Sequence, residues 1–237
     1  MARISKSQLT KLEIVQVATR MFLERGYTKT TTAAICNELE MSKGNLTFHY
    51  PTKEHLLAVL VDMLCKFQWE LMEGEANEGI SSVMTICLEL VSMASACEEN
   101  EVAKDFFVAT YSSPVTLDII RKNDTERAKK VFADYCKGWT DEQFAEAEIL
   151  VSGIEYATLM TTNDTVPLDV RITGALNQIL TIYNVPEEIR KRKIEKVLAT
   201  DYRSIGGRIL KEFTEYVEKV NEQAFEEILS IKKTLKR

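Results

Sequence analysis

Four prolines, nine glycines and two histidines are all that 237 residues contain, and these scarcities exclude several kinds of protein. Few chain breakers interrupt the apolar residues, which recur at helical spacing nearly throughout; no stretch alternates as a strand does, and no internal repeat is found. The two histidines, His49 and His55, lie six residues apart in one polar segment, which does not suit a metal site. The five cysteines (Cys36, Cys65, Cys87, Cys97 and Cys136) are odd in number, lack CxxC spacing and sit among apolar neighbours. They read as reduced core thiols, not as disulfides or zinc ligands. No apolar run approaches the roughly 18–20 residues of a membrane span, and the first residues hold no apolar stretch that could act as a signal peptide. A cytoplasmic protein with no membrane contact is expected. P-loop, dinucleotide fingerprint, nucleophile elbow and HExxH are all missing. No paired acid and base or nucleophile is found either, so no catalytic residue, metal or cofactor is assigned and the chain is not read as an enzyme.

What is there begins with charge. The net charge of −6 hides an asymmetry: residues 1–55 hold eight Lys and Arg against five Asp and Glu, a balance of +3, which leaves −9 for residues 56–237. A small basic module on an acidic body suits a polyanion that meets only the module.

The helical pattern divides accordingly. Ile14, Val17, Ala18, Met21 and Phe22 form one stripe, and Gly26 stops that helix as a left-handed cap on which Tyr27 can fold back toward Phe22. Thr30 and Thr31 can both cap a short second helix that buries Ala34, Ile35 and Leu39 and ends at Glu40 or Met41. Ser42 then caps a third, with Met41 and Leu46 as a hydrophobic staple. Lengths of about 16, 8 and 7 residues are expected. Pro51 ends the third helix, and Thr52 caps a long fourth that resembles a strut. About seven more helices follow, bounded by Gly79, Pro114, the capping box that starts at Thr140, Pro167 and Pro186, and the last runs from about Ser204 to Leu235.

The segment 42–56, SKGNLTFHYPTKEHL, concentrates hydrogen-bonding groups while burying only Leu46 deeply. Two short helices joined by a tight turn are the arrangement of a helix-turn-helix, whose second helix enters the DNA major groove. Ser42 and the first turn of that helix offer backbone N–H groups to phosphate; Lys43, Asn45, Thr47 and His49 offer donors, and Gly44 permits close approach. Through MFLERGYTKTT, ICNELEMSKGNL and FHYPTKEHL the chain resembles the tetracycline-repressor (TetR) family over about 45 contiguous residues. The resemblance implies an all-α fold: a DNA-binding head, assigned to residues 1–51, and a larger ligand-binding and dimerising domain, residues 52–237. It also implies that Thr30, Thr31, Lys43, His49 and Lys53 touch the DNA backbone and that Asn45 lies on the base-reading face. Two departures stand out. Glu40 occupies the turn position that commonly holds glycine, at a cost of roughly 1 kcal/mol if it is left-handed, and Thr47 replaces a common tyrosine.

For the body, the resemblance implies a four-helix dimer interface, a small-molecule ligand and repression of transcription. Ala147, Val151, Ile154 and Thr158 form an apolar seam, and Phe213 and Val217 lie on the stripe of the last helix; these six are the expected dimer contacts. Met84, Leu88, Phe107, Tyr111, Phe132, Tyr135 and Tyr156, with Glu155 as the one charge in its segment, are the expected lining of a pocket for a mostly apolar ligand. The partners expected are therefore double-stranded DNA with a near-palindromic operator, a second copy of the chain and a small apolar molecule. The competing reading is a DNA-binding adaptor whose body binds a protein and no small molecule.

Overall fold

Ile14, Ala18, Met21 and Phe22 are all buried, as the stripe of the first helix requires, and that helix opens an all-α architecture. The computed structural model describes residues 6–77, 81–162 and 166–234, and among these residues there are eleven helices and no strand. Gly79 and Leu235 lie outside the described residues. The head comprises α1 (Lys6–Arg25), α2 (Thr32–Glu38) and α3 (Lys43–His49). Their lengths are 20, 7 and 7 residues. Gly26 adopts φ +92° after α1, and the Tyr27 ring lies 5.2 Å from that of Phe22. Helices as short as α2 and α3 are not stable alone; Ile35 and Leu46, fully buried, hold them to α1 and the following helix.

The long α4 (Lys53–Asn77) leads into seven further helices: α5 (Ser82–Glu99), α6 (Glu101–Ser112), α7 (Pro114–Val131), α8 (Asp141–Met160), α9 (Leu168–Ile182), α10 (Glu187–Leu198) and α11 (Tyr202–Thr234). Pro114 occupies the first turn of α7. At α8 the Thr140 hydroxyl accepts from Gln143 N while the Gln143 side chain accepts from Thr140 N, a complete capping box. The most apolar helix, α5, runs through the middle of the body and touches α4, α6, α8, α9, α10 and α11. Its six neighbours are why Val83, Met84, Cys87, Leu90 and Val91 are all buried. All five cysteines are free and buried.

Two features of the packing depart from expectation. The apolar seam of α8 is not a free surface, since Ala147, Val151 and Thr158 are buried in the core and Ile154 packs against it. Phe213 and Val217 of α11 are buried as well, because α11 lies on α5 and continues onto α1. There the Asn221 amide donates to the Thr19 hydroxyl at 3.1 Å, with both groups buried. Five of the six expected dimer contacts are thus buried within one chain, and Ile154 is partly buried.

Candidate nucleic-acid interface

The turn between α2 and α3 sets the geometry of the head. Glu40 is left-handed, φ +49°; its N–H donates to Asn37 O and the next N–H, of Met41, donates to Cys36 O at 3.0 Å. This double closure places the second residue beyond the helix in the conformation that glycine adopts most readily. Ser42 follows with its hydroxyl accepting from Asn45 N at 3.2 Å, which starts α3 and leaves the first-turn N–H groups directed outward.

On α3, Ser42, Lys43, Gly44 and Asn45 are exposed, and nothing beyond Ser42 lies within 4 Å of a Cβ built on Gly44. Thr31, also exposed, caps α2 by accepting from Ala34 N at 3.1 Å. Thr47 is half-buried and its hydroxyl donates to Lys43 O at 3.0 Å, so its hydrogen is spent on its own helix. His49 is half-buried too, with Nδ1 enclosed and without a partner.

Two expected phosphate contacts are corrected. Thr30 is 1 % exposed; its hydroxyl bonds Gly26 O at 2.8 Å and Met21 O at 3.1 Å, so it ties the loop after α1 to that helix. The Lys53 ammonium donates to Tyr27 O at 2.9 Å and Thr30 O at 3.1 Å and sits 3.9 Å from the centre of the Tyr27 ring. Partial burial there lowers its pKa, an effect that Glu54 and Asp105 oppose. Lys53 is directed inward and anchors the same loop.

The residue that the sequence reading missed is Phe48. It is 79 % exposed, an apolar ring on the outer face of α3, edge-on to His49 at 5.1 Å. It stands one turn from Asn45 and Gly44, so the three share a face. The available signal was the periodicity: Leu46 buries the opposite face, which leaves Phe48 no core to enter.

In the body, the expected ligand residues divide between two cavities. Leu88 and Phe107 line one, between α4, α5, α6 and α11. Tyr111, Phe132 and Glu155 line another, between α5, α6, α7, α8 and α9. Met84, Tyr135 and Tyr156 line neither, Met84 being buried in the core and the two tyrosines packed partly buried against it. The second cavity is polar at its centre. Tyr111 donates to Glu155 at 2.9 Å, Tyr183 donates to Glu148, and Arg127 is held by Glu89 and Asp124.

Residues 14–60 match the family described as bacterial regulatory proteins, tetR family. The HTH-type transcriptional regulator QacR of Staphylococcus aureus is 42% identical over 53 residues, which are 22% of this chain and 28% of that protein. The match therefore spans little more than a quarter of that relative's length. Among solved structures, a gamma-butyrolactone receptor (ArpA like protein) is 18% identical, covering 88% of this chain and 100% of its own with a TM-score of 0.41. The tetR regulator tylp of Streptomyces fradiae is 17% identical, covering 90% and 99% with a TM-score of 0.45. With scores below 0.5, these two likenesses carry no argument about the body.

Proposed function

We propose, from the premise that the head of this chain belongs to the tetR family of bacterial regulatory proteins over residues 14–60, that the protein is a homodimeric transcriptional repressor released from its operator by a mostly apolar small molecule. The observation that carries the DNA-binding part is the outer face of α3. It presents Lys43, Asn45 and Phe48 to solvent from a helix whose other side is locked by Leu46. Asn45 supplies the bidentate chemistry that reads adenine, Lys43 and the capped first turn meet phosphate, and the Phe48 ring suits a thymine methyl.

The dimer contact is reassigned to the outer side of α8 and α9. Of seven large apolar side chains that are exposed among the described residues, five lie on these helices or on the link between them: Ile149 at 54%, Leu150 at 56%, Met160 at 45%, Val166 at 39% and Val170 at 55%. Gly153 and Gly174 interrupt the same surface with open space where a Cβ would stand, which lets a second pair of helices approach closely. A surface this apolar on two adjacent helices suits a four-helix contact with a two-fold mate. Such a dimer offers two α3 helices to DNA roughly one turn apart, about 34–36 Å, and its operator is a near-palindrome.

The cavities of the body support the ligand. Selection of bound sequences from random DNA by the full chain tests the reading: enrichment of a near-palindrome is expected. A pool that stays unenriched overturns it.

A further inference from the structure

Along α5, Thr85 and Ser92 are 3 % and 2 % exposed, and neither hydroxyl has a hydrogen-bond partner. Helical Ser and Thr ordinarily satisfy themselves by donating to the carbonyl four residues back, as Thr110 does to Phe106 O at 2.7 Å and Thr158 to Ile154 O at 2.7 Å. Thr85 and Ser92 do not, and both line the same cavity, between α4, α5, α6 and α11. A buried hydroxyl left without a partner is costly, and two such residues on the lining of one cavity point to a partner other than protein.

We propose that this cavity is a binding site for a neutral, elongated, mostly apolar molecule that carries hydrogen-bonding atoms at two points about 10 Å apart. The spacing follows from the helix: seven residues at 1.5 Å each separate the two hydroxyls by roughly 10 Å along the axis, on one face. The apolar character follows from the walls, which include Phe67, Leu88, Phe107, Ile209 and Phe213. Neutrality follows from the charge inventory. Glu89 is the only ionisable residue on the lining, and its carboxylate is already held by Arg127 and Gln68. A charged ligand would lose its hydration without gaining a counter-ion.

In its present form the cavity encloses only about 40 Å³, room for no more than a few water molecules. A ligand must therefore part the helices, and the glycine at one end determines where. A Cβ on Gly206 would lie 2.5 Å from Ser95 Oγ and 2.7 Å from Ser92 O, so α5 and α11 are already in contact there. The parting falls on the α11 segment beyond, toward Phe213 and the Asn221–Thr19 bond to α1. The site gives the ligand-responsive reading a location and a chemical class, and it rests on that reading only for its effect on DNA.

The test uses the full chain without DNA. N-phenyl-1-naphthylamine, a neutral dye that brightens in apolar sites, is bound first and then displaced by α,ω-alkanediols of increasing length. Displacement should be strongest for the diol whose extended oxygen-to-oxygen span is about 10 Å, near heptane-1,7-diol. Thr85→Val and Ser92→Ala should each weaken that diol about fivefold, while both variants melt no lower than the parent because each removes a hydroxyl that has no partner. Leu88→Trp, which fills the space, should abolish dye binding. Absence of dye binding, or displacement indifferent to diol length and to both hydroxyls, overturns the site. If the diols bind as described but random-sequence selection returns no operator, the site stands and the regulatory reading falls.

Discussion

Single residues in the head carry opposite duties that look alike in sequence. Lys43 opens α3 and Lys53 opens α4, yet Lys43 is exposed and Lys53 is bonded to two carbonyls. Lys53→Ala should therefore lower the stability of the protein by about 1–2 kcal/mol in urea denaturation, because it strips Tyr27 O and Thr30 O of a charged donor. Lys43→Ala should leave stability unchanged and reduce the slope of log affinity against log salt by roughly one. Equal behaviour of the two variants in both measurements would refute the assignment. Phe48→Ala should weaken operator binding without destabilising the fold, since a ring that is 79% exposed contributes little to the core. Glu40→Gly should stabilise by about 0.5–1 kcal/mol by relieving the left-handed strain at φ +49°. Asn184 occupies the equivalent place after α9 at φ +56°, where asparagine tolerates that conformation better.

Among the helices, α8 shows how the two sides of one element divide the work. Its inner side builds the core through Phe144, Ala147 and Val151 and contributes Glu148 to the polar centre. Its outer side leaves Ile149, Leu150 and Met160 in solvent. Leu150→Arg should convert a dimer into a monomer in sedimentation at micromolar concentration, with the helical content retained, because a charge at the centre of a two-fold contact meets its own copy. A dimer that survives this change places the interface elsewhere. Helix α11 has a different role, linking α5 to α1 through a continuous apolar stripe and one buried amide. Body and head are therefore joined through α4, α6 and α11, of which only α4 is also the covalent connection.

At the level of the whole molecule, the acidic body has a pH signature. Burial, with Asp124 nearby, pushes Glu148 up to about 8, partly opposed by the Tyr183 hydrogen bond and by Arg127 and Arg121. Burial likewise raises Asp124 to about 6 against the pull of Arg127, and it holds Glu155 well above the ordinary carboxylate range. Raised acids keep protons in the folded chain that the unfolded chain releases near pH 4.5. Their contribution is thus complete below that value and is lost as pH rises toward 8. The urea midpoint should fall between pH 5 and pH 8, and Glu148→Gln should flatten that fall. A midpoint that climbs across this window would contradict the burial argument.

Local chemistry settled much of this protein before any tertiary contact was considered. Period 3.6 and scarce breakers made it all-α, Gly26, Ser42, Pro114 and the box at Thr140 placed four helix boundaries, and the Glu40 turn declared its strain, because caps and turns depend on residues only a few positions apart. The charge asymmetry and the segment 42–56 located the basic head for the same reason. The direction each side chain faces was a different matter. Thr30 and Lys53 turn inward, Phe48 turns outward, and the apolar seam of α8 faces the core while Ile149 and Leu150 do not. An apolar stripe specifies that a helix is covered on that side, but neighbours hundreds of residues away in sequence determine what covers it. Asn221 meeting Thr19 across 202 positions is such a contact, and only the packed chain reveals it.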